Sequence, residues 1–205
     1  MNEPTTADRK ALRSELRRKR REIPAAQRIA AAESLASRLL ELPFLPASGD
    51  VAGYWAMDGE IALHVFQLRL PPGLRYCLPV LSGDRLRFAH WRPGEPLATN
   101  RYGIPEPDVG EDALLEPSSM AMVLLPLVGF DARGHRLGMG GGWYDRSFAF
   151  RNEGAHGGAR RPPWLVGAGF GLQQVEALDV APWDVGLDAI CSERDTILVD
   201  IPGNR

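Results

Sequence analysis

The segment "MAMVLLPLVGF", residues 120–130, decides the fold class of this chain of 205 residues. Its apolar residues continue without the polar alternation of a half-buried strand, which is typical of a strand covered on both faces in a parallel sheet. Pro126 has no amide hydrogen to donate, so regular pairing is expected to stop early in the run. The segment therefore predicts an internal strand of a sheet with helices on both sides.

Short apolar segments and amphipathic segments alternate around this run, and a long loop spans 93–117. This alternation predicts a single three-layer α/β domain over 1–205, with a largely parallel open sheet flanked by helices. Such a fold is Rossmann-like and similar to the sugar-phosphate isomerase/CoA-transferase type. The segment 151–163 is predicted to be a mobile surface insertion. Strands are predicted at 51–57, 74–81, 85–91, 164–170, 187–191 and 196–201. Helices are predicted at 7–22 (a basic helix), from Pro24, from near Glu60 to before Pro71, near 144–150 and at 171–178.

Composition narrows the classes of function. The net charge is −2 and the sequence pI is about 6.1, so no global basic field indicates a nucleic-acid partner. No apolar run approaches the ~20 residues of a membrane span, and the N-terminal residues do not resemble a signal peptide. Cys77 and Cys191 are the only cysteines, which suits a reducing compartment. We expect a cytoplasmic monomer without nucleic-acid or membrane partners.

The segment "RLGMGGGWYDR", residues 136–146, carries the first functional signal. It follows the buried strand after the polar turn "DARGH" and precedes a predicted short helix, where ligands of open α/β sheets gather. Exposed amides of glycine-rich backbone bind phosphate, and Arg136 can add a bidentate contact. Neither the Walker motif nor the dinucleotide fingerprint fits, because no lysine follows the glycines and Trp143 stands where a third glycine is required. Taken alone, the segment can be either a phosphate loop or a flexible turn.

The longer pattern "FDARGHRLGMGGGWYDR" (130–146) resembles the signature of the 5-formyltetrahydrofolate cyclo-ligase family, roughly F-D-x-x-G-x-R-L-G-x-G-x-G-Y-Y-D-R. Four more segments resemble the family in the same order and extend the likeness over nearly the whole chain. They are "RKALR" (9–13), "YWAMDGEI" (54–61), "YGIPEP" (102–107) and "PWDVGLDAICSE" (182–193). The resemblance implies closure of 5-formyltetrahydrofolate to 5,10-methenyltetrahydrofolate with ATP as co-substrate and Mg²⁺ as cofactor.

The resemblance also implies roles for individual residues. Arg136 and Arg13 are expected to be catalytic, and Asp145 and Asp184 to bind the metal, with Asp188 a weaker metal candidate. The expected ATP-binding residues are Arg9, Lys10, Arg13, Arg136, Leu137, Gly138, Met139, Gly140, Gly141, Gly142, Trp143 and Tyr144. The expected substrate-binding residues are Trp55, Met57, Glu60, Tyr102, Trp143 and Tyr144.

Several alternatives stay open at this point. The family typically has lysine at the first basic position, so either Arg9 or Lys10 can be the one that meets ATP. The remaining basic residues at 17–21 are expected at the surface, and both cysteines are expected in the core. The scattered histidines lack metal-ligand spacing, so zinc is not expected. A sugar-phosphate isomerase or CoA-transferase-like enzyme, or a nucleic-acid-binding protein using the basic helix, are the alternative functions.

Overall fold

The computed structural model describes residues 6–153 and 162–199. None of the helices within these ranges is both long enough and apolar enough to cross a bilayer. The α-helices are α1 (Thr6–Arg21), α2 (Ala25–Leu40), α3 (His64–Leu68), α4 (Trp143–Ser147) and α5 (Phe150–Glu153). Single 3₁₀ turns lie at Glu111–Ala113, Pro117–Ser119 and Gly171–Gln173.

The strands are β1 (Gly49–Ala52), β2 (Leu74–Ser82), β3 (Arg85–His90), β4 (Leu97–Thr99), β5 (Pro105–Pro107), β6 (Met122–Pro126), β7 (Gly129–Phe130), β8 (Arg136–Leu137), β9 (Trp164–Ala168), β10 (Ala189–Cys191) and β11 (Thr196–Leu198). Seven of them form the central sheet, in the order β11-β10-β9-β6-β1-β2-β3. The five inner strands are parallel, and the edge strands β3 and β11 are antiparallel to their neighbours. Two small antiparallel pairs, β4–β5 and β7–β8, lie outside this sheet.

Strand β6 confirms the prediction made from residues 120–130. Met122 and Leu124 belong to the hydrophobic cluster on one face of the sheet, which includes residues of α2 and α3. Val123 and Leu125 belong to the cluster on the other face, which includes Phe148. Because successive side chains of a strand point to opposite faces, burial of all four requires cover on both sides. The predicted three-layer α/β fold with a largely parallel sheet is therefore confirmed.

Two predicted elements at the end of β1 are shorter than expected. The strand predicted at 51–57 ends at Ala52, and the helix predicted from near Glu60 begins only at His64. Asp58 and Gly59 both have positive φ, at 49° and 76°, so the backbone makes a turn here that excludes helix. Residues 53–63 therefore form a loop beyond the end of the strand.

Three further predictions need correction or lie partly outside the structure. The helix predicted at 171–178 is only a 3₁₀ turn at Gly171–Gln173. The side-chain amide of Gln173 donates to the carbonyls of Leu127 and Val128, and the backbone amide of Val175 donates to the carbonyl of Phe130, so the chain is held in an extended path after the turn. The loop at 93–117 contains the pair β4–β5. Of the predicted insertion 151–163, residues 154–161 lie outside the described ranges.

The strand order places a topological switch point between β1 and β6. From β1 the chain continues to β2 on one side, whereas from β6 it continues to β9 on the other. Ligands of open α/β sheets bind outside the carboxyl ends of the strands at such a point. The loop after β1 and the segment after β6 are therefore the places to look for a site.

Candidate active site

A cavity of about 370 Å³ opens at this switch point. Its walls come from the loop after β1, the β4–β5 pair, the end of β6 at Pro126, helix α1, the glycine segment 138–142 and the segment around Asp184. Its volume lies within the ~300–1,000 Å³ range of small-molecule sites. All five segments that carry the family resemblance contribute residues to these walls.

The glycine segment lines the cavity with backbone rather than side chains. Gly140 and Gly142 have φ of 95° and 65°, which disfavour any side chain. A methyl group added to Gly138 would meet nothing within 4 Å, so this backbone faces open space. Leu137 differs from its neighbours because its side chain is fully buried in a cluster with Leu16 and does not line the cavity.

Helix α1 brings two cations to the glycine segment. Arg13 donates its Nε hydrogen to the carbonyl oxygen of Gly138 at 2.8 Å, and Arg9 lies 3.6 Å from a carboxylate oxygen of Asp184. Burial lowers the pKa of the Arg13 guanidinium, the nearby charge of Arg9 lowers it further, and Asp184 opposes both effects. Lys10 is exposed and does not line the cavity, so the geometry favours Arg9 over Lys10 as the residue that meets a ligand. Two adjacent cations beside open backbone form a site suited to an anion.

Arg136 uses its guanidinium within the protein as well as facing the cavity. One amino group donates to the carbonyl oxygen of Val185 and the other to the Asp145 carboxylate, which also accepts a hydrogen bond from the Val185 amide. Burial lowers the pKa of Arg136, while the Asp145 and Asp184 charges raise it. Arg136 therefore ties the glycine segment to the loop that carries Asp184 and fixes the direction of Asp145.

Asp145 and Asp184 both line the cavity, and their chemistry fits a divalent cation. The Asp145 contacts described above engage Oδ1, and those of Asp184 with Arg9 and the Ala181 amide engage Oδ2. Mg²⁺ typically takes one or two protein carboxylates when a nucleotide supplies further oxygens. Asp188 does not line the cavity, because its two oxygens accept hydrogen bonds from Arg151 at 2.8 Å and its side chain also binds the Leu165 amide. Asp188 therefore anchors neighbouring segments.

Glu60 supplies a carboxylate from the loop after β1. One of its oxygens accepts a hydrogen bond from the Met57 amide at 3.0 Å. Burial raises the pKa of Glu60, and that amide and the nearby Arg20 lower it. Trp55 and Met57 line the cavity beside it. A carboxylate next to an aromatic and a thioether side chain can accept hydrogen bonds from the edge of a flat heterocycle while the apolar groups cover its faces.

Aromatic rings lie at the mouth of the cavity. Tyr102, which is 56% exposed, approaches Trp143 edge to face at 6.0 Å between ring centroids. Arg101 lies over both rings at 5.3 Å, and Arg146 lies over Trp143 at 5.0 Å. Tyr144 lines the cavity nearby, and burial strongly raises its pKa, so its hydroxyl stays protonated.

The sequence interpretation missed several charged groups: Asp58 and Glu106 line the cavity, and Arg20 lies outside its walls. Arg20 was expected at the surface, but its side chain is fully buried and donates to Asp58 and to the Leu127 carbonyl. Arg17 and Arg21 also bind Asp58, at 2.7 and 3.3 Å. The run of basic residues concealed this difference, because composition alone does not distinguish one buried arginine among exposed neighbours. Trp183, which lines the cavity although 70% exposed, was also not singled out.

A second cluster of possible ligands lies away from this cavity. Asp50, Cys77 and His90 bring one ligand atom each within 4.8 Å of one another, although the sequence shows no metal-ligand spacing. Arg75 donates to one carboxylate oxygen of Asp50 and lies 2.8 Å from the other, and burial raises the pKa of the Cys77 thiol to about 12. A protonated thiol opposes metal binding, because a cysteine must lose its proton before it can act as a ligand. Cys77 and Cys191 are both buried, as expected.

Comparison with known proteins agrees with this arrangement. The sequence pattern of the 5-formyltetrahydrofolate cyclo-ligase family matches residues 5–193. The 5-formyltetrahydrofolate cyclo-ligase of Haemophilus influenzae is 33% identical over 187 residues, which cover 89% of this chain and 96% of that protein. The enzyme of the same name from Escherichia coli K12 is 33% identical over 85% of this chain and 94% of its own.

A solved structure of similar fold supports the same family. The solution structure of 5,10-methenyltetrahydrofolate synthetase from Aquifex aeolicus superposes with a TM-score of 0.78 at 26% identity, covering 96% of this chain and 95% of that one. Sequence likeness over most of the chain and likeness of fold therefore agree with the five ordered segments. This chain belongs to the 5-formyltetrahydrofolate cyclo-ligase family.

Proposed function

We propose that the protein closes 5-formyltetrahydrofolate to 5,10-methenyltetrahydrofolate in a reaction that consumes ATP, requires Mg²⁺ and releases ADP and phosphate. The observation that carries the proposal is that one cavity holds the open backbone at Gly138, the cations Arg9 and Arg13, and the carboxylate of Glu60. An anion site and an acceptor for a flat heterocycle share that space, as a reaction between a nucleotide and a folate requires.

The chemistry explains why a folate cyclase needs a phosphate site. The formyl oxygen is a poor leaving group, so attack by N10 on the formyl carbon stalls. Transfer of the γ-phosphoryl group to that oxygen breaks the bond to ADP and forms a new oxygen–phosphorus bond. N10 then attacks the activated carbon and loses its proton, and the lone pair of N5 expels phosphate. The product is the five-membered ring with its positive charge shared between N5 and N10.

Arg9 and Arg13 are the proposed phosphate contacts of the protein. Arg13 is held beside the glycine segment by its bond to the Gly138 carbonyl, and that bond uses Nε and not the two amino groups. Arg136 directs Asp145, as described above, and adds positive charge at the same wall. Preorganised donors of this kind stabilise charge on a transferring phosphoryl group. When bound by Asp145 and Asp184, Mg²⁺ would supply further neutralisation.

Glu60 is the proposed acceptor for the N–H groups of the pterin. Trp55, Met57 and Tyr102 are the proposed apolar and aromatic walls of the folate site, with Trp143 at the mouth. Fixing the pterin in this way would align the formyl oxygen with the γ-phosphorus, and alignment of two substrates is itself a large part of such a rate enhancement. Because every proposed contact comes from one chain, we expect the monomer to be active without a nucleic-acid partner.

The test is a direct assay on the purified protein. 5-Formyltetrahydrofolate is supplied with ATP and Mg²⁺, and the conjugated methenyl product is followed by its near-ultraviolet absorbance while ADP is measured separately. We expect one ADP per ring closed, and no product when either ATP or Mg²⁺ is omitted. Product formed without ATP would refute the proposal. A sugar-phosphate isomerase or CoA-transferase-like enzyme would need no ATP, and a nucleic-acid-binding protein would show steeply salt-dependent binding instead.

A further inference from the structure

Arg20 is the only fully buried charged side chain of helix α1 among the described residues. Its Nε donates to the Asp58 carbonyl at 3.2 Å, one amino group donates to the Leu127 carbonyl at 3.1 Å, and the other donates to the Asp58 carboxylate at 3.0 Å. Leu127 directly follows β6, and Asp58 lies in the loop after β1. One guanidinium therefore joins the segments that follow the two strands that border the switch point.

The loop that Arg20 holds has an unfavourable backbone conformation. Asp58 has a φ of 49°, which costs energy in a residue with a side chain and persists only where the surroundings enforce it. Glu60 follows two residues later, and its carboxylate lies 3.7 Å from an amino group of Arg20. Arg20 thus fixes the turn that aims Glu60 and also forms an ion pair with its carboxylate.

We propose that Arg20 is a positioning residue for the folate half of the reaction, which holds the turn at Asp58 and keeps the Glu60 carboxylate directed into the cavity. This inference rests on the proposed function, because it assigns a task to Glu60 in binding the pterin. Arg20 itself does not line the cavity and so does not touch the substrate.

The charges around Glu60 determine in which direction each substitution shifts its pKa. Burial raises the pKa of Glu60 and the Asp58 carboxylate raises it further, whereas the Met57 amide, Arg20 and Arg17 lower it. Tyr54 and Tyr144 also face Glu60, but burial raises their pKa values strongly and both remain neutral. Loss of Arg20 therefore leaves more Glu60 protonated at a given pH. Loss of the Asp58 charge has the opposite effect.

The experiment compares Arg20→Gln, Arg20→Lys and Asp58→Asn with wild type, and uses Arg18→Gln as the matched control. Arg18 lies on the same helix but pairs with Glu22 in solvent. KM for 5-formyltetrahydrofolate and for ATP, and the pH profile of kcat/KM for the folate, are measured by ADP release. For Arg20→Gln we expect KM for the folate to rise about tenfold or more, the scale of one charge-assisted hydrogen bond, while KM for ATP changes by less than about twofold.

The pH profiles distinguish positioning from a general loss of structure. The acid limb of the kcat/KM profile should move to higher pH in Arg20→Gln and to lower pH in Asp58→Asn. It should stay at the wild-type position in Arg18→Gln. Arg20→Lys keeps the charge but loses the planar guanidinium fork that makes the three contacts, so the acid limb of its pH profile should move less than that of Arg20→Gln. If Arg20→Gln does not fold, Arg20→Lys and Asp58→Asn carry the test. If wild type is active but the folded variants show neither a shifted acid limb nor a changed KM for the folate, this inference alone is wrong. If wild type shows no turnover, the proposed function and the inference are both wrong.

Discussion

Gly138 offers a substitution that fills the proposed phosphate site without straining the fold. Its φ is not in the left-handed region, and an added methyl group would meet no atom within 4 Å. Gly→Ala at a conformationally compatible position stabilises a protein by about 0.4–1 kcal/mol, because it restricts the unfolded chain. For a chain of this size that corresponds to a Tm increase of about 1–4 °C. Gly138→Ala should therefore fold at least as stably as wild type.

The same methyl group should impair catalysis if phosphate approaches this backbone. The substitution would push the phosphate chain outward by about the radius of a methyl group, and misplacement of about 1 Å can cost ~10²-fold in rate. We expect kcat/KM for ATP to fall ~10–100-fold in Gly138→Ala. Gly186 is the matched control, since its added methyl would also meet nothing within 4 Å, its φ is also not left-handed, and it does not line the cavity.

The assay pairs steady-state ADP release with thermal unfolding for both alanine variants. Gly138→Ala should combine an unchanged or higher Tm with a large loss of kcat/KM, and Gly186→Ala should show the Tm change alone. If Gly138→Ala retains wild-type kcat/KM for ATP while folded, the glycine segment does not bind the phosphates closely and the proposed orientation of ATP is wrong.

Four further predictions concern single side chains. Arg13→Ala should lower turnover ~10²–10³-fold, the usual effect of removing a preorganised donor, whereas Lys10→Ala should leave it near wild type, and equal losses would contradict the assignment. Arg136→Ala should lower both turnover and Tm, because this side chain also binds Val185, with partial recovery in Arg136→Lys. Asp145→Asn should raise the Mg²⁺ concentration for half-maximal activity, and an unchanged dependence would remove it as a ligand. Burial raises the pKa of Asp131, but hydrogen bonds from Leu178 and His135 lower it more, so its pKa is lower in the folded than in the unfolded protein. The ionised carboxylate therefore contributes to the free energy of unfolding above about pH 4, and this contribution is lost as the pH falls further. Thermal melts of Asp131→Asn should therefore lie further below wild type at neutral pH than at pH ~3.

Local patterns predicted the framework of the molecule well. The apolar run at 120–130 predicted the buried strand β6, and the glycine segment was correctly expected after a strand and before a short helix. These features depend on residues close in sequence. The prediction was wrong at 171–178, where the helical pattern is overridden by hydrogen bonds from Gln173 to carbonyls about 45 residues away.

The site was predictable only as far as its residues lie in motifs. The family-like segments led to Glu60, Asp145 and the glycines, all of which line the cavity. Arg20 could not be found in this way, since its burial comes from Leu127, 107 positions away, and from the turn at Asp58. Within a run of five basic residues, the sequence alone does not indicate which one the fold buries.

Helix α1 has a consequence for how the protein tolerates change. Arg9, Arg13, Leu16 and Arg20 are separated by four, three and four positions, so they follow one side of the helix. One end of that line meets the glycine segment, and the other holds the loop of Glu60. A single residue inserted after Leu16 would turn the upstream part by about 100° and shift it by about 1.5 Å relative to Arg20. The exposed positions of this helix can therefore accept other residue types. The number of residues between Arg13 and Arg20, in contrast, cannot change without moving one wall of the cavity relative to the other.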